Sequence, residues 1–144
     1  MGQHFEMYTD GSFNVTTGVY GGAYSVAGLL EGSVSDNVPE LAVSRNVAGE
    51  CLAVVRGVQA LSQRVALHAG DSITIYHDYT GLAEWAEGRW KAKTPVATRY
   101  VAAIRVLKEK FGLQLNFVKV AAHTGVTGNE LVDRLAKAAV GLSK

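Results

Sequence analysis

Residues Val47 to Asp78 read VAGECLAVVRGVQALSQRVALHAGDSITIYHD, and inside this one stretch the hydrophobic period changes. Apolar side chains at Val47, Cys51, Val54, Val55, Val58, Leu61 and Val65 recur every three or four residues, the spacing of one helix face over Val47–Ala66. Ser44 or Asn46 offers an N-cap ahead of it, and Ala69-Gly70-Asp71 ends it. Ser72 to Asp78 then alternates as a strand does, with Ile73, Ile75 and His77 on one face and Thr74, Tyr76 and Asp78 on the other. A long amphipathic helix that turns into an alternating strand is half of a βαβ unit.

Working outward, the chain before this stretch reads as strands. Phe5 to Asp10 stops at Gly11-Ser12. Val19 to Leu30 is rich in small and β-branched residues, with Gly21-Gly22 and Gly28 as bends or bulges. A turn at Gly32-Ser33 leads into a third strand, Val34 to Val38. Downstream come a short helix at Leu82–Gly88 and a longer one at Pro95–Phe111, with proline in its first turn and Gly112 as its stop. A strand at Leu113–Ala121 and a helix at Thr127–Leu142 follow. The order β-β-β-α-β-α-α-β-α predicts one α/β domain over residues 1–144, built on a mixed sheet.

Composition narrows the function classes. With 144 residues, 48% hydrophobic and 19% charged, the chain can bury a core and is not of disordered type. Fourteen Lys and Arg stand against 13 Asp and Glu, a net charge of +1, which excludes a protein that coats nucleic acid through bulk charge but not one with a local site. The lone Cys51 excludes an internal disulfide. There is no apolar run near the roughly 20 residues a membrane span needs, and no secretory pattern at the start, so a cytoplasmic protein is expected.

The acids carry the chemistry. Asp10 and Asp78 fall at strand ends and are followed by loop residues, which places them at the carboxyl edge of a sheet, where α/β proteins hold ligands. Glu50 lies in the first turn of the long helix and Asp133 in the first half of the last one. Four carboxylates gathered at one place repel unless cations neutralise them, and all-oxygen sites suit hard ions such as Mg²⁺ or Mn²⁺. Taken singly, each acid has an ordinary alternative as a turn, cap or surface residue.

The motifs around these acids, taken in order, resemble those of the type 1 ribonuclease H family. Tyr8-Thr9-Asp10-Gly11-Ser12 is similar to its opening motif, and Asn46-Val47-Ala48-Gly49-Glu50 to its glutamate-bearing helix. Ile73 to Asp78 is similar to its acid-tipped strand. Val118 to Gly125, with His123, and Asn129 to Ala136, with Asp133, are similar to its closing loop and helix. The resemblance spans about residues 4–142. It implies a five-stranded mixed sheet in the order 3-2-1-4-5 with helices on both faces. It implies cleavage of the RNA strand of RNA/DNA hybrids to 5′-phosphate and 3′-hydroxyl ends. It also implies two Mg²⁺ ions, or Mn²⁺ in their place, on Asp10, Glu50, Asp78 and Asp133. His123 would assist proton transfer or product release. Gly11, Ser12, Asn14 and Asn46 would contact the minor groove and 2′-hydroxyls.

Arg89-Trp90-Lys91 forms a basic and aromatic patch suited to phosphate and sugar contacts, with Trp85 either beside it or in the core. The short span between Asp78 and Trp90 leaves little room for the extended basic handle that many family members carry, so modest, salt-sensitive grip on the hybrid is expected. No obligatory protein partner is evident, and a monomer is expected. An inactive hybrid-binding module would typically lack one acid, and none is missing. Other nucleases of related fold tend to open with Asp-x-Glu rather than Asp-Gly-Ser. If the four acids share one cation site, the near-zero net charge is the sum of a local acidic centre and a moderately basic remainder.

Overall fold

Five strands form one sheet in the computed structural model, which describes residues 2–120 and 127–142. They are β1 (His4–Asn14), β2 (Val19–Val26), β3 (Leu30–Asp36), β4 (Ser72–His77) and β5 (Gln114–Lys119), arranged β3-β2-β1-β4-β5. The β1–β2 and β2–β3 pairs are antiparallel, and the β1–β4 and β4–β5 pairs are parallel. This is the mixed sheet in the predicted order. The helices are α1 (Pro39–Ala42), α2 (Asn46–Arg64), α3 (Gly81–Ala86), α4 (Pro95–Phe111) and α5 (Thr127–Ala139).

Strand alternation sends consecutive side chains to opposite layers. Gly22 of β2 faces α2, where an added Cβ would come within 2.8 Å of Ala53 Cβ. Ala23, the next residue, packs with Val132 and Ala136 of α5. Helices α2 and α5 therefore cover opposite faces. The main core lies on the α2 side, where Met7, Ile73, Ile75 and Leu115 of the sheet meet Val54, Val58 and Leu61 of α2 and Ile104 and Leu107 of α4. The termini of α4 follow the expected chemistry. Thr94 accepts a hydrogen bond from the Ala97 N–H at 3.2 Å, Pro95 opens the first turn, and Gly112 closes the helix at φ 64°. No described helix is long and apolar enough to cross a membrane.

Several boundaries differ from the sequence expectation. Strand β1 does not stop at Gly11-Ser12 but runs on to Asn14, because Gly11 and Ser12 pair with Gly22 and Gly21 across the hairpin. Gly21 and Gly22 are regular ladder residues rather than bulges. Gly22 is small because α2 comes down on it, Gly49 and Ala53 leaving no room for a Cβ, whereas a Cβ on Gly21, on the other face, would come within 2.8 Å of Val140, just past the end of α5. Strand β2 ends at Val26, Gly28 turns the chain at φ 75°, and β3 begins at Leu30 rather than Val34. A one-turn helix, α1, precedes α2. The N-cap of α2 is neither Ser44 nor Asn46 but Arg45, at φ 53° and ψ −128° with no side-chain cap bond. It is the one non-glycine residue at positive φ among those described.

Candidate active site

The two pairings of β1 end at different points, and the difference creates the site. Parallel pairing with β4 stops at Tyr8 and Tyr76, whereas antiparallel pairing with β2 continues to Asn14. Asp10 therefore projects beyond the end of the parallel ladder, and Asp78 is the first residue past β4. Helix α2 brings the third acid. Its first turn lies directly on β1, and a Cβ on Gly11 would collide with the Asn46 carbonyl and stand 2.5 Å from the Glu50 nitrogen. Glycine at position 11 is what lets the helix descend far enough for Glu50 to reach the sheet edge.

Glu50 is 3% exposed. Its Oε2 accepts the Asp78 N–H at 2.9 Å and its Oε1 accepts the Tyr79 N–H at 3.2 Å. Burial outweighs these two bonds and, helped by the charges of Asp10 and Asp78, pushes its carboxyl up to about 8. Asp10 accepts the Gly11 N–H at 2.9 Å. Burial again dominates, and with the nearby Asp133 and Asp78 charges and a hydrogen bond to Asp133 it pushes Asp10 up to about 7. Asp133, on α5, pairs with Lys137 one turn later at 3.1 Å. Asp10, Asp78 and Asp133 line a cleft of about 400 Å³, together with Asn46, Asn129 and Glu130.

Among the described residues no three acid, histidine or cysteine side chains form a ready-made metal cage. Glu50 faces backbone N–H groups and Asp133 faces Lys137. The donor set nonetheless fits a hard divalent ion. It is all oxygen, and burial, helped by neighbouring carboxylate charge, raises the proton affinity of Asp10 and Glu50, a charge burden that a divalent cation would relieve.

The other predicted site residues divide. Asn46 is exposed as the first residue of α2 and, with Gly11, lines the cleft. Ser12 is half-buried in β1 opposite Gly21. The Asn14 amide is used within the protein: its Nδ2 donates to the Val140 carbonyl at 2.9 Å, and its Oδ1 accepts from the Thr16 and Thr17 N–H groups. Trp85 is half-buried among Tyr79, Trp90 and Tyr100, with ring centroids 5.6, 6.2 and 6.4 Å away, while Trp90 is 44% exposed. Arg89 is held by Glu84 at 2.7 Å and Glu87 at 2.6 Å, so its charge is balanced locally. Lys91 is exposed. His123 lies outside the described residues.

Sequence reasoning missed Asn129 and Glu130 as cleft residues and Lys137 as the partner of Asp133. The four-residue step from Asp133 to Lys137 on a helix was the available signal. His77, which alternation assigned to the face opposite Asp78, is 1% exposed in the core. Burial holds its imidazole below the ordinary histidine range.

No curated protein sequence is significantly similar to this chain. Solved structures are similar in fold. The N-terminal RNase H domain of a Mycobacterium tuberculosis protein, solved as a fusion with maltose-binding protein, superposes with a TM-score of 0.75 at 20% identity, covering 96% of this chain and 94% of that one. RNase H1 of the halophilic archaeon Halobacterium salinarum gives a TM-score of 0.74 at 20% identity, with 94% and 96% covered. LC11-RNase H1, solved in complex with an RNA/DNA hybrid, gives 0.71 at 20% identity, with 95% and 99% covered. The RNase H family model matches residues 2–141, nearly the whole chain, and the chain belongs to the RNase H family.

Proposed function

We propose that this protein is an endonuclease that hydrolyses the RNA strand of RNA/DNA hybrids and leaves 5′-phosphate and 3′-hydroxyl ends. The observation that carries the reading is that Asp10, Asp78 and Asp133 line one cleft at the carboxyl edge of the sheet, with Glu50 buried behind it and bonded to the Asp78 and Tyr79 N–H groups. The hybrid complex of the structurally similar LC11-RNase H1 supports the choice of substrate.

The four acids would hold two Mg²⁺ ions, with Mn²⁺ as a substitute. When bound, such ions supply polarisation of the scissile phosphate and a water of lowered pKa. The chain's own contribution is placement. Asp10 stands on β1, Asp78 directly follows β4, and Glu50 is held at both oxygens by the Asp78–Tyr79 backbone, so these three carboxylates are placed by the fold itself. The Asn46 amide at the cleft rim offers a donor and an acceptor for a 2′-hydroxyl, the group that separates RNA from DNA. Exposed Trp90 and Lys91 offer a ring and a charge to the second strand. Arg89 serves there by positioning Glu84 and Glu87, and Asn14 serves the hairpin. His123 would assist proton transfer or release of the cleaved strand.

The test is a hybrid with labelled RNA. Pure protein should cut it with Mg²⁺ and spare it with EDTA, and the fragments should accept a 5′ label from a kinase only after phosphatase treatment. No cutting by pure, folded protein overturns the proposal.

A further inference from the structure

The loop that grips Glu50 is itself held from below by a buried side chain that the proposed chemistry does not use. His77 Nδ1 lies 2.9 Å from the Tyr79 carbonyl oxygen, two residues on. A carbonyl only accepts, so Nδ1 carries the proton and Nε2 is left as a bare acceptor. Nε2 is buried and has no hydrogen-bond partner among the described residues. A buried acceptor without a donor is unfavourable, and an apolar side chain of similar shape would avoid it. What imidazole offers here that phenylalanine does not is the single bond to Tyr79.

That bond lies at a sensitive place. We propose that His77 is a positioning residue for the candidate site: its Nδ1–H fixes the turn whose Asp78 and Tyr79 N–H groups hold the two oxygens of Glu50. The anchor is rigid. His77 pairs with Lys119 in the β4–β5 ladder, its carbonyl accepts the Val120 N–H at 2.8 Å, and Phe117 packs against the imidazole edge at 5.8 Å. The same Tyr79 carbonyl also accepts the Leu82 N–H at 3.2 Å, where α3 begins, and Tyr100 Oη donates to the Leu82 carbonyl at 2.9 Å. The turn is thus pinned on one side by α4 through α3 and on the other by the imidazole. Removing the imidazole bond frees the β4 side, and the two N–H groups lose their fixed aim at Glu50.

The consequence for cleavage rests on the proposed ribonuclease reading, whereas the positioning itself does not, so the test reads both. Amide hydrogen exchange is followed by NMR on the metal-free protein. His77→Phe keeps a ring and removes the donor. His77→Asn keeps a donor, Nδ2, close to where Nδ1 stood. In H77F the Asp78 and Tyr79 amides should exchange about 10-fold faster, with the β1–β2 hairpin unchanged, while H77N stays within about 3-fold of the native protein. In the cleavage assay, H77F should lower kcat about 10-fold with KM for the hybrid unchanged, and H77N should restore most of it. Unchanged exchange in H77F overturns the proposal, as does an H77N variant that behaves like H77F, or faster exchange with native kcat. If H77F does not fold, H77N decides alone: native exchange supports the proposal and fast exchange overturns it. If the native protein does not cut hybrid, the ribonuclease reading fails while the exchange data still judge the role of His77.

Discussion

Replacing Asp10 by asparagine should make the protein more stable and inactive at once. The native carboxyl is raised from an ordinary value of 3.8 to about 7 by burial and by the Asp133 and Asp78 charges. A carboxyl whose folded pKa lies above its unfolded one binds its proton more tightly in the native state. Native stability therefore falls as pH rises from about 4 to 7, and the loss persists above that. The gross cost of ionising Asp10 in the fold is roughly 4 kcal/mol, and partial access to solvent through the cleft reduces it to about 1–2 kcal/mol. Asparagine keeps an oxygen for the Gly11 N–H and removes the charge. In EDTA, urea unfolding followed by circular dichroism should show Asp10→Asn more stable by about 1–2 kcal/mol at pH 8, equivalent to about 3–6 °C in Tm. At pH 4 the two proteins should differ little, since both side chains are then neutral. Added Mg²⁺ should stabilise the native protein and not the variant, closing the gap. Hybrid cleavage by the variant should fall at least about 100-fold. A variant less stable than native at pH 8, or a gain that does not change with pH, would refute the electrostatic account of this site.

Four further outcomes are expected. Gly11→Ala should cost roughly 2 kcal/mol or more in urea unfolding, because its methyl group meets the Asn46 carbonyl and lifts α2 from the sheet; native-like stability would show that the helix can yield. Asn46→Ala, at an exposed position, should change stability by no more than about 0.5 kcal/mol while raising KM for the hybrid several-fold, and an unchanged KM removes Asn46 from the substrate contacts. His123→Ala should slow turnover by about 10- to 100-fold without abolishing it, as single-turnover kinetics would show. Hybrid binding, measured by anisotropy, should be modest and fall with salt, because each phosphate contact releases a counterion; tight binding above physiological salt contradicts that.

Periodicity and the placement of acids are local properties, and they were legible. The helical step through Val47–Val65, the alternation through Ser72–Asp78 and the four motif-borne carboxylates each needed only near neighbours in the chain. The strand order and the mixed character of the sheet are what the resemblance implies, and the structure agrees with them. Boundaries were less legible where a distant segment decides them. Gly11-Ser12 reads as a stop, yet it continues as strand because Gly21-Gly22 lies across from it and α2 lies above it.

The site divides in the same way. Which acids to consider for it could be read along the chain. How they are held could not, because the groups that hold them are remote in sequence or lie on another face. The N–H donors of Glu50 come from Asp78 and Tyr79, 28 and 29 residues away. The spending of Arg89 on Glu84 and Glu87 depends on how the chain turns after α3. Burial, which sets the proton affinity of Asp10 and Glu50, is a property of the assembled layers. The sequence by itself determined an α/β chain carrying four carboxylates on four of its motifs. Tertiary structure decided that Glu50 is clamped and that His77 stands beneath the turn that clamps it. Local chemistry selects the groups, and only packing sets the distances, burial and partners that surround them.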